Sequence, residues 1–141
     1  MLRLAVEGER VALEIGSLPG ILELLRHEPA TPAELEQAIA KIEDELMPLL
    51  RSLPAKRRLV TCAPEVREIA RVAGLAGQSD LRLETATVEL LFNRLADAAH
   101  GAPSARLGIP PGRAFAATLL LLREVLHHGG FKWVTVTKCR R

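Results

Sequence analysis

The stretch "GIPPGRAFAATLLLLREVLHHGG", residues 108–130, constrains this chain more than any other. From Phe115 to Leu122 it is apolar on nearly all sides, whereas a surface helix confines its apolar residues to one stripe. Pro110 and Pro111 precede it and Gly129-Gly130 follow, which is start and stop chemistry for an α-helix. The longest apolar run, Ala114 to Leu122, is about half the length a bilayer span needs. Such a helix belongs at the centre of a globular domain. At 141 residues the chain is long enough for one such domain and one core.

The other segments are one-sided. Leu2, Leu4 and Val6 alternate with Arg3, Ala5 and Glu7, "EGER" turns, and Val11, Leu13 and Ile15 alternate again, which predicts a β-hairpin. "GSLPG" reads as a turn, and Ile21 to His27 as either a short apolar helix or an extended connection. Thr31-Pro32-Ala33-Glu34 predicts a helix start: a Thr N-cap, Pro at the first helical position and Glu placed to complete a capping box. Leu35, Ile39, Ile42, Leu46, Leu49 and Leu53 continue that helix as a stripe, with Glu36, Lys41, Glu43 and Asp44 off it. Pro48 kinks the helix or marks its last turn.

Lys56-Arg57-Arg58 leads into a strand, Leu59 to Cys62, and Pro64 opens a helix whose apolar set is Val66, Ile69, Ala70 and Ala73, ending near Gly74 or Gly77. A further helix runs from about Glu84 to Ala99 with Val88, Leu91, Leu95 and Ala99 on one face, ended by "HGAPS". After the central helix comes a strand rich in β-branched residues, Phe131 to Thr137, and the basic end "KCRR". Hairpin, helix, strand, helices and strand in this order predict a single α/β lobe with a mixed sheet in two or three layers.

Charge and composition narrow the function classes. Nineteen basic against 17 acidic residues leave a formal charge of +2, and the aromatics are only Phe92, Phe115, Phe131 and Trp133. That balance, with no interleaved aromatics for base stacking, argues against nucleic acid as a partner. The start "MLRLAVEGER" lacks the apolar region of a secretory signal, and no membrane segment is expected. Two cysteines, Cys62 and Cys139, are too few for a disulfide framework, which points to a reducing cytoplasm.

Taken together the segments resemble the second actin-like (ribonuclease H-like) lobe of the exopolyphosphatase and guanosine pentaphosphate phosphohydrolase family. The resemblance covers essentially the whole chain through "GSLPGILELL", "PATPAELEQAIAKIEDEL", the junction from Leu59 to Ala70 and, most specifically, "LGIPPGRAFAATLLLLREVLHHGGFKWVTVT". It implies a phosphoanhydride hydrolase fold in which two lobes close over a phosphate-bearing substrate and a magnesium ion. That chemistry needs a glycine-rich loop around the phosphate, a metal to offset charge and a carboxylate to orient water.

This chain departs from the pattern at each of those places. The first lobe and the D-x-G-G-G-S-T loop have no counterpart. Where the family has G-G-T, this chain has Pro64, Glu65 and Val66: Pro64 removes a backbone donor, and Glu65 puts negative charge where an anion would sit. The closing L-R-E-G segment is replaced or cut short at Cys139-Arg140-Arg141. The expectation is a lobe inactive by itself, with no catalytic residue, no metal ligand and no cofactor of its own. Its expected partner is a second copy or a separate partner lobe; a regulatory or interaction module of actin-like fold and the C-terminal half of a split or truncated hydrolase are the alternatives.

If polyphosphate or another anion binds, the resemblance places it at the carboxyl edge of the sheet. The residues are Cys62, Ala63, Pro64 and Glu65 of the junction, Arg113 at the start of the long helix, and Lys138 and Arg140 of the basic end. In the family the strands ending at Cys62 and Cys139 are parallel neighbours, which would bring both thiols to that edge. A disulfide or a shared metal is open there, with unbonded thiols the expectation. His127 and His128 read as cations at a helix C-terminus, and His27 and His100 receive no role.

Overall fold

The hairpin predicted from alternation is present: β1 (Leu2–Glu7) pairs antiparallel with β2 (Val11–Ile15), Leu4 opposite Leu13. The computed structural model describes residues 2–7, 11–15, 18–51, 53, 58–75, 77 and 80–139; the turn expected at "EGER", Lys56, Arg57 and Arg140 fall wholly or largely outside them. Three further strands follow, β3 (Arg58–Thr61), β4 (Leu81–Glu84) and β5 (Trp133–Val136), and the sheet order is β2-β1-β3-β5-β4. β3 lies antiparallel to β1 and parallel to β5, and β4 is antiparallel to β5. The sheet is mixed and the chain is α/β.

The helices are α1 (Leu18–Leu24), α2 (Pro32–Arg51), α3 (Pro64–Val72), α4 (Thr85–Ala99), α5 (Ser104–Leu107) and α6 (Arg113–Gly129). As its all-round apolarity requires, α6 is the hub, with α1, α2, α3 and α4 all packed on it. Its residues from Phe115 to Leu122 are buried, as are Glu124, Val125 and Leu126. Leu59, Thr61, Leu83, Val134 and Val136 alternate onto one buried face of the sheet, which joins this core. On the opposite face Arg58, Arg82 and Glu84 are exposed, Val60 and Trp133 half-buried and Thr135 buried between Val60 and Arg82, and the Arg82 guanidinium lies 3.9 Å from the centre of the Trp133 ring. With the helices gathered around α6 on one side, the domain has two layers.

Two local expectations change. "GSLPG" is not wholly a turn, because Leu18, Pro19 and Gly20 open α1, where Pro is tolerated in a first turn. The helix expected from about Glu84 to Ala99 is α4, but a strand not expected from the sequence precedes it. Glu84 ends β4, whose sequence Leu81-Arg82-Leu83-Glu84 alternates inward and outward, and is also the N-cap of α4, whose first residue is Thr85. Thr85 ties that start to the turn after α6: its N–H donates to Lys132 O and its hydroxyl to Phe131 O, both at 2.8 Å. That turn depends on two glycines. Gly130 caps α6 at φ +68°, a left-handed conformation, and at Gly129 a Cβ would stand 2.4 Å from the Phe131 ring.

The capping box at Thr31 forms and extends further than sequence predicts. Thr31 N–H donates to Glu34 Oε1 at 3.0 Å and Glu34 N–H to Thr31 Oγ1 at 3.2 Å. Glu34 also accepts from the N–H groups of Arg26 and His27 and from His27 Nδ1 at 2.8 Å. Burial opposes its ionisation most strongly. The hydrogen bonds from Thr31, the His27 ring and the Arg26 and His27 backbones outweigh that and hold the pKa at about 2, from an ordinary 4.5.

A depressed carboxyl pKa stabilises the fold above the unfolded value and ceases to do so as pH falls through the folded value. Urea midpoints of the wild type should therefore drop between about pH 4.5 and pH 2. In Glu34→Gln the amide sets its own N–H groups against two of these donors, and the loss at neutral pH should be about 1–3 kcal/mol. The variant should show a shallower acid dependence; an equally steep one would assign the effect elsewhere.

Candidate functional site

The carboxyl edge of β3 and β5 is closed. Cys62 and Cys139 are joined by a disulfide, with their Cα atoms 5.0 Å apart, so the expectation of unbonded thiols is corrected. Parallel pairing of β3 and β5 in register is what brings the two residues together. Thr137 N–H donates to Thr61 O at 2.8 Å, and Arg67 Nη2, one turn into α3, donates to Thr137 O at 2.9 Å. With the pair bonded, the cysteine count no longer argues for a reducing compartment.

Three of the junction's backbone donors are used internally. Ala63 N–H donates to Thr61 Oγ1 at 3.1 Å, Pro64 has no N–H, and Val66 and Arg67 N–H both donate to Ala63 O at 3.1 Å. Glu65 adds a carboxylate to the first turn of α3, the end at which the helix dipole would favour an anion. Arg113 goes elsewhere. It opens α6, and its N–H and Nε lie 3.2 and 3.7 Å from Glu28 Oε1 in the α1–α2 connection. Among the described residues no hydrogen bond or ion pair joins it to the junction. Lys138 is exposed beside Cys139. The amino edge is more open: a cleft of about 360 Å³ is lined there by Arg58, Leu59, Lys132 and Trp133 with Gly129, Gly130 and Phe131.

A second constellation lies between α2 and α6, and sequence reasoning missed it. Glu124 and His128 are four residues apart on α6, and His128 Nε2 is 2.8 Å from Glu124 Oε2. From α2, Glu43 brings Oε1 to 3.4 Å from the same nitrogen. Arg123 Nη1 holds the other Glu124 oxygen at 2.9 Å, its Nε meets Glu89 Oε1 at 3.0 Å, and its guanidinium lies 3.8 Å from the centre of the Phe92 ring. Both histidines lie in the last turn of α6, as read from the sequence, and His128 in addition faces Glu124 across one turn. The available signal was Glu-x-x-x-His in "REVLHH". Glu43 was out of reach because its meeting with His128 depends on how α2 packs on α6.

Glu124 is the unusual member, with a side chain 2% exposed. Desolvation pushes its pKa above the ordinary carboxyl range; Arg123 and His128 pull it down, and Glu43 adds to the rise. Two carboxylates and an imidazole therefore converge on one point with donor atoms of the types that divalent cations take.

Comparison with protein-family models, curated proteins and solved structures finds no match for this chain. No helix among the described residues is long and apolar enough to cross a membrane.

Proposed function

We propose that this chain is a non-catalytic interaction module, built on an actin-like lobe that resembles the second lobe of the exopolyphosphatase family without its phosphate machinery. The observation that carries this reading is the closed carboxyl edge. Open α/β sheets take ligands in the crevice beyond their strand ends. Here that crevice is bridged by Cys62–Cys139 and by Arg67 on Thr137, and the turn between β3 and α3 has no glycine.

The described part of the face turned from the helices, on β3, β4 and β5, is where a partner fits, and we take that partner to be a second copy. Trp133 and Val60 give the face an apolar centre. Arg82 and Glu84 on the edge strand β4 give it both signs of charge, so a two-fold axis can set Arg82 of one copy against Glu84 of the other.

One preparation tests both halves of the proposal. Incubated with polyphosphate and magnesium, oxidised or reduced, the chain should release no phosphate, and in sedimentation velocity it should self-associate as its concentration rises. Chelator-sensitive phosphate release would establish a hydrolase, and a monodisperse monomer at high concentration would remove the second copy.

A further inference from the structure

The reading above leaves Glu43, Glu124 and His128 without a task. We propose that these three side chains form a binding site for a divalent transition-metal ion of the zinc class, bracing α2 against α6. The site deepens nothing about phosphate and stands independently of the interaction reading.

The donors come from two helices and include an imidazole. One ligand atom from each residue lies within 4.8 Å of the other two, and the pairs through His128 Nε2 measure 2.8 and 3.4 Å. Nitrogen and oxygen ligands about 2.0–2.2 Å from a tetrahedral zinc are themselves about 3.3–3.6 Å apart; the two pairs through His128 stand within about 0.5 Å of that, and the half-exposed Glu43 side chain closes the third by turning. Arg123 fixes Glu124 through Oε1 and leaves Oε2 turned to the imidazole. An outer hydrogen bond on a ligating carboxylate orients ligands in this way.

Exposure is graded across the site: 2% for the Glu124 side chain, 25% for His128 and 42% for Glu43. An ion held by all three therefore keeps its remaining coordination positions toward water. Its charge would also offset what Arg123 does not: the desolvated Glu124 carboxylate and the neighbouring carboxylate of Glu43. The imidazole selects against magnesium, which favours an all-oxygen, water-rich shell. Cys62 and Cys139, bonded to each other, do not compete as donors in the oxidised chain.

Zinc chloride titrated into the oxidised full chain against a chromophoric chelator reads the affinity, and thermal melts with and without zinc read the brace. The wild type should bind a single ion and melt higher with it, magnesium should give no shift, and Glu43→Gln and His128→Asn should each bind at least ~10-fold more weakly. Glu43→Gln is the decisive variant, because a half-exposed side chain can be exchanged without unfolding the domain. No zinc bound by the wild type, or wild-type affinity retained in both variants, overturns the site and leaves an ion-pair cluster between two helices.

Discussion

Breaking the Cys62–Cys139 bond should lower the unfolding free energy by about 4–5 kcal/mol. The bond joins positions 77 residues apart. A cross-link that closes a loop of this length removes more freedom from the unfolded chain than a short one, and chain-entropy reasoning puts loops of about 15 to 100 residues at about 3 to 4.7 kcal/mol. Against a typical total of about 5–15 kcal/mol, that is about a quarter of the stability or more. Urea titrations of the oxidised chain and of the Cys62→Ser, Cys139→Ser double variant measure it directly. Equal midpoints would mean that the Thr61–Thr137 and Arg67–Thr137 hydrogen bonds hold the edge without covalent help.

Truncation at the hub of the core should be similarly large. Leu119 is fully buried on α6, a helix packed by four others, so a cavity there has little room to collapse. Leu119→Ala should cost about 3–5 kcal/mol, the range of core leucine deletions whose surroundings relax poorly. Leu90, 60% exposed on α4, supplies the internal comparison, and Leu90→Ala should stay within about 0.5 kcal/mol of the wild type. Equal losses at the two positions would remove α6 from the centre of the stability argument. Denaturant midpoints at matched slope give both values.

What the chain writes locally, it writes legibly. An apolar surface on every side of residues 115–122 left α6 no place but the middle, and the Thr31–Glu34 spacing announced a capping box that forms. The hairpin followed from alternation in the same way. β4 was hidden because, unlike the equally short β3 and β5, it has no β-branched or aromatic residue, and because its final glutamate passes equally well for the start of α4. The Cys62–Cys139 bond and the Glu43–Glu124–His128 cluster were hidden for a different reason. Each depends on two segments far apart in sequence meeting at a defined register, through β3 on β5 in one case and α2 on α6 in the other. Glu124 was doubly concealed, since a carboxylate in an apolar helix reads as an exception and not as a participant.

The strand order also has a consequence for the time course of folding. β5 follows every other described element in the chain, yet it lies inside the sheet, between β3 and β4. Until it arrives, β3 lacks one neighbour and β4 has no strand to pair with. A chain emerging from the ribosome can gather its helices early, but its sheet stays in two unconnected pieces until residues 133–136 are free to insert. Domains closed by long-range pairing of this kind form late and all at once, so the inner edges of β3 and β4 stay open until that insertion.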